Sequence, residues 1–63
     1  MPPAIPPIFM FFDAGNGIML NVTLVSYMDA RNLRAKTTDG DYHRMDTTKF
    51  EELSAIMRQI RIK

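Results

Sequence analysis

The sequence predicts an α+β fold, a small antiparallel β-sheet of two hairpins followed by a C-terminal amphipathic helix. Three observations predict it: the dipeptide Asn16-Gly17 between two apolar runs, a second turn around Asp39-Gly40, and apolar residues at helical spacing from Phe50 to Ile60. The chain has 63 residues, room for one domain with a thin core. Residues 1–7 read as a Pro-rich extended arm and residues 8–63 as a single β-β-β-β-α domain.

The first hairpin joins Ile8–Phe12 to Ile18–Met28, both rich in aromatic and β-branched residues. Asn16 and Gly17 suit a two-residue type I′ turn because both tolerate positive φ. Such a turn sets Gly15 opposite Ile18, Asp13 opposite Leu20, Phe11 opposite Val22 and Phe9 opposite Leu24. One face then carries Phe9, Phe11, Leu20, Val22 and Leu24. The other carries Ile8, Met10, Phe12, Met19 and Val25, so the hairpin is expected to be apolar on both sides.

The second hairpin joins Leu33–Thr37 to Tyr42–Met45. A two-residue turn at Asp39-Gly40 would mix apolar and charged side chains on one face. A three-residue loop, Thr38-Asp39-Gly40 with Gly40 left-handed, instead sets Leu33 opposite Met45, Ala35 opposite His43 and Arg34 opposite Arg44. Arg34, Lys36, Tyr42 and Arg44 then share the other face.

The helix is expected to open with a capping box, Thr48-Lys49-Phe50-Glu51, with Glu51 and Glu52 in its first turn. Phe50, Leu53, Ile56, Met57 and Ile60 form its apolar stripe. This stripe covers one side of the sheet. The face of Ile8, Met10, Phe12, Met19 and Val25 is left for the arm or a second copy, and these five are the expected protein-binding residues. Of the six methionines, those at 28, 45 and 57 read as core, and Met10 and Met19 as contact surface. A homo-oligomer, with a dimer favoured, follows from the small sheet and its open edges.

The motif pattern resembles a known family. Asn16-Gly17 through Leu20-Asn21, then Leu24-Val25-Ser26-Tyr27-Met28-Asp29-Ala30, Thr37 to Gly40, and Thr48 to Leu53 are similar to the small flagellar FlbD-like proteins. That resemblance implies a small accessory or regulatory protein. Val25 to Leu53 is also similar to the first half of a LytTR-type DNA-binding domain.

Charge and composition narrow the chemistry. Eight Lys and Arg against seven Asp and Glu give a net +1, and there is no Cys. That excludes disulfides, thiolate zinc sites and cysteine nucleophiles. Residues 31–63 nonetheless hold all eight basic groups against five acidic ones, a net +3. Arg34, Lys36, Tyr42 and Arg44, joined by Arg58 and Arg61, form the candidate nucleic-acid-binding set, since they combine cations with an aromatic ring.

His43 has no positioned partner in the sequence pattern, and Asp39 and Asp41 read as turn formers rather than calcium ligands. No catalytic residue, metal site or cofactor is therefore expected. The absence of a basic leader and of a long apolar run predicts a cytoplasmic protein with no membrane association, and the short reading frame is of a kind common in bacteria and their phages. The functional expectation is a non-enzymatic regulator or adaptor that self-associates and binds a protein partner. A nucleic-acid-binding regulator is the alternative.

Overall fold

The computed structural model describes residues 10–61, with the side chain of Arg61 left aside. Its elements are β1 (Phe11–Gly15), β2 (Ile18–Asn21), a 3-10 turn (Val22–Leu24), β3 (Val25–Asp29), β4 (Arg34–Thr37), β5 (Tyr42–Arg44) and α1 (Thr47–Arg61). Strands β1 and β2 form one antiparallel sheet, and β3-β4-β5 form a second. The α+β class is as expected. The Pro-rich arm, together with Ile8 and Phe9, lies outside the described residues.

At the first turn Asn16 and Gly17 have φ of 56° and 76°, as a type I′ turn requires. The ladder beyond it departs from the expected register. Gly15 does pair with Ile18, but Asp13 pairs with Met19, Phe12 with Leu20 and Phe11 with Asn21. Ala14 is the extra residue of a β-bulge. Gly15 at φ 90° bends the strand there, and the Gly15 amide donates to Asp13 Oδ1 at 2.9 Å. One inserted residue exchanges inward and outward positions along everything that follows. Phe12 and Ala14 consequently turn into the core beside Leu20 and Val22, and Phe11 turns out, 52% exposed, to join Met19, which is 58% exposed as its expected face implies.

The second departure is a break in what the sequence presents as one strand from Ile18 to Met28. Asn21 Oδ1 accepts from the Thr23 amide at 3.0 Å and from its hydroxyl at 2.6 Å, which caps a single 3-10 turn. The chain changes sheets there. Val25 then pairs with Thr37 and is buried, Tyr27 pairs with Lys36, Met28 with Ala35 and Asp29 with Arg34. Ser26 sits at a second bulge, with its hydroxyl donating to the Lys36 carbonyl at 3.2 Å.

The register of β4 and β5 is the one expected. Arg34 pairs with Arg44, Ala35 with His43 and Lys36 with Tyr42, and the Met45 amide donates to the Leu33 carbonyl at 2.9 Å. Gly40 has φ 95°, and Thr37 closes the loop by donating its amide to Asp41 and accepting from Gly40.

Helix α1 starts two residues earlier than a cap at Thr48 would allow. Asp46 is the N-cap: its Oδ1 accepts from the Lys49 amide at 2.8 Å, and its carbonyl accepts from Phe50. The expected capping box is therefore not formed, and Glu51 and Glu52 fall beyond the first turn, which holds no acid. An aspartate positioned before Thr47 captures the first amides ahead of the Thr48 hydroxyl. The apolar stripe is as expected: Phe50, Leu53 and Met57 are buried, and Ile56 and Ile60 pack against them. Their partners are Phe12, Ala14, Leu20 and Val22 from the first sheet and Val25, Ala35 and Met45 from the second, in one core.

Candidate functional site

The sequence-derived protein-binding set does not form one surface. Phe12 and Val25 are core residues, because the bulge and the change of sheet turn them inward. Met10 is half-buried, Met19 is exposed, and Ile8 lies outside the described residues. What faces solvent on the first hairpin is instead Phe11 and Met19, set diagonally across from one another with Asp13 and Asn21 between them. Ile18 and Leu24 extend the exposed apolar surface from the turn and from the 3-10 segment. Phe11 and Leu24 were expected on the covered face. Only the bulge and the strand break bring them out, and neither is written in the alternation of the residues.

The basic set is brought together in part. Along β4 the side chains alternate, so Ala35 and Thr37 point to the core while Arg34 and Lys36 point away from it. In the β5 register Tyr42 stands beside Lys36 and Arg44 beside Arg34. The Arg34 guanidinium carbon lies 3.9 Å from the Tyr42 ring centroid, and the Lys36 ammonium lies 5.6 Å from it, both within cation–π range. Arg58 is exposed on α1, which packs on the opposite side of the sheet, and so does not join this face. The expectation for Arg61 falls on a side chain outside the description.

Asp29 and Tyr27 complete the face, and sequence reasoning passed over both. Arg34 Nε donates to Asp29 Oδ2 at 2.7 Å, and Asn32 donates to the same carboxylate through its side chain at 3.0 Å. These bonds, first from Asn32 and then from Arg34, hold the Asp29 carboxyl at about 2, well below its ordinary 3.8. The carboxylate thus fixes Arg34 in its position over Tyr42. Tyr27 pairs with Lys36 from the other side and is 54% exposed. The signal for Tyr27 was available, since β-strand alternation sets it opposite Met28, but it depended on β3 pairing with β4.

His43 is half-buried beside Ala35, with Nε2 3.4 Å from the Thr37 hydroxyl oxygen. Thr37 also donates to Asp39, and Asp39 Oδ1 accepts from the Asp41 amide. These bonds hold the Asp39 carboxyl below the usual carboxylate range, the Thr37 hydroxyl contributing most. The Asp39 carboxylate organises the turn, and Asp41 takes part through its backbone amide and carbonyl. Among the described residues, no group of three or more His, Asp or Glu side chains is arranged to hold a metal ion. Among them too, no helix is long and apolar enough to cross a membrane. Comparison with protein-family models, with curated proteins and with solved structures finds no match to this chain.

Proposed function

We propose that this chain is a small non-enzymatic regulator or adaptor that self-associates and binds a protein partner through its first hairpin. The observation that carries the reading is the exposure of Phe11 and Met19 on a two-stranded sheet. Each of its strands has a neighbour on one side only among the described residues. Apolar side chains beside unpaired backbone groups favour addition of a further strand from another chain. A two-stranded sheet is also marginal by itself, so a second copy would relieve both the exposure and the open edge. A cytoplasmic dimer of bacterial or phage origin fits this reading. So does the accessory or regulatory role implied by the resemblance to FlbD-like proteins.

A dilution series of amide spectra tests it. Self-association predicts concentration-dependent shifts concentrated in β1 and β2, with β4 and β5 unmoved. Spectra that do not change with concentration would remove the self-association reading.

The second reading, a nucleic-acid-binding regulator, is favoured by one observation: Arg34 is held over Tyr42 with Lys36 and Arg44 on the same face. Arg34 and Arg44 are direct cross-strand neighbours, and Asp29 offsets the charge of Arg34 while no carboxylate among the described residues pairs with Arg44.

A further inference from the structure

The geometry points to the solvent-facing side of β3-β4-β5 as a stacking surface for single-stranded nucleic acid, with bases on Tyr27 and Tyr42 and phosphates on Lys36 and Arg44. This rests on the second reading above and adds the class of ligand and a residue, Tyr27, outside the basic set.

The face is made of two cross-strand rows. Tyr27, Lys36 and Tyr42 form one, and Asp29, Arg34 and Arg44 the other. Neighbouring strands stand about 4.8 Å apart, so the two tyrosines lie about 10 Å apart with Lys36 between them. Tyr27 and Tyr42 are 54% and 45% exposed, with the Arg34 guanidinium over one face of the Tyr42 ring. Arg34 is neutralised by Asp29, whereas no carboxylate among the described residues makes a salt bridge with Lys36 or Arg44. The row through Asp29 therefore serves to hold the guanidinium against Tyr42, and the other two cations are available to an outside anion.

The chemistry selects the ligand. A protein-docking patch is depleted of charge at its centre. Here the centre is Lys36, flanked by aromatic rings. Rings interleaved with cations match a strand whose bases are unstacked and whose phosphates run alongside them. A duplex offers its phosphates to such a face but not its base planes, which are already stacked within the helix.

The chain has two tyrosines and no tryptophan, so its intrinsic emission reports this face alone. Titration with an oligouridylate of about 12 nucleotides should quench that emission to saturation. Affinity should fall roughly tenfold between 50 and 200 mM salt, as expected when two or three phosphates are neutralised. Anisotropy of a fluorescein-labelled oligonucleotide measures the variants. Tyr27→Thr and Tyr42→Thr should each weaken binding roughly 5- to 150-fold, and Tyr27→Phe should stay within about twofold.

Gln59→Ala, at an exposed position of α1, should leave binding unchanged, and a duplex of the same length should compete poorly. Should Tyr42→Thr lose its fold by circular dichroism, Tyr27→Thr carries the stacking test, and Lys36→Gln should lower the salt slope by about 0.7. Binding that keeps its salt slope but ignores both tyrosines, or that prefers duplex, overturns the stacking inference while leaving the basic face as a binder. Absence of binding at low salt overturns both.

Discussion

Asp29 shows how one carboxylate links stability to the character of a surface. It accepts from Asn32 and Arg34, so its charged form is favoured in the folded chain. Because the folded value is depressed, its contribution is present in full above the unfolded 3.8 and is lost as pH falls through about 2. Asp39 acts in the same direction through the Thr37 hydroxyl. Thermal midpoints should therefore drop steadily as pH is lowered across that window. Asp29→Asn should lower the midpoint at neutral pH and meet the native curve at the acid end. Two curves that remain parallel down to the lowest pH would show that Asp29 is not a source of the dependence.

Gly40 offers a test of backbone alone. At φ 95° it lies where side chains are disfavoured, yet a Cβ there would meet nothing within 4 Å. Gly40→Ala should cost about 1–2 kcal/mol, read as a lower denaturation midpoint with an unchanged slope. A neutral result would mean that the loop relaxes to another conformation.

At the scale of elements, the turns and the helix stripe were legible and the strand boundaries were not. Asn16-Gly17 and Gly40 specify their turns because backbone sterics admit few residues at positive φ, and this chemistry is local. The register of β4 against β5 followed from asking which pairing keeps Ala35 and Met45 on one side. The bulge at Ala14 follows from Gly15 and the Asp13 side chain acting together, and alternation of apolar residues carries no mark of it. Both Phe11 and Phe12 suit a core, so the pattern alone could not say which turns in. The break at Val22–Leu24 depends on Asn21 capturing the Thr23 amide, a local bond that competes with the ladder.

The basic cluster was found because it lies within one correctly registered hairpin. The apolar set was misassigned because it spans both irregularities. The helix start makes a further prediction: Asp46→Ala should destabilise by about 0.5–2 kcal/mol. Thr48→Ala should stay within about 0.5 kcal/mol, as at an ordinary surface position. Chemical denaturation of the two variants decides which residue caps α1, and the reverse order would restore the capping box.

The whole molecule divides into one core and two dissimilar outer faces. The core draws on both sheets and on α1, with Leu53 fully buried among them. Leu53→Ala should accordingly cost about 2–5 kcal/mol, a large share of what so small a domain can possess. The outer face of β1-β2 is apolar where Phe11 and Met19 project, and the outer face of β3-β4-β5 is aromatic and cationic. These two faces are built from separate strands, so substitution on one should leave the other intact. Self-association through the first would also make the melting temperature rise with protein concentration, since a dimer favours the folded state by mass action.

Sedimentation equilibrium of the native chain beside a Phe11→Ser/Met19→Ser variant tests the self-association most directly. Both side chains are more than half exposed, so the double variant should keep its fold. The native chain should sediment as a dimer at micromolar concentration and the variant as a monomer with the same circular dichroism. A native chain that remains monomeric throughout, or a variant that dimerises as tightly as its parent, would contradict the account.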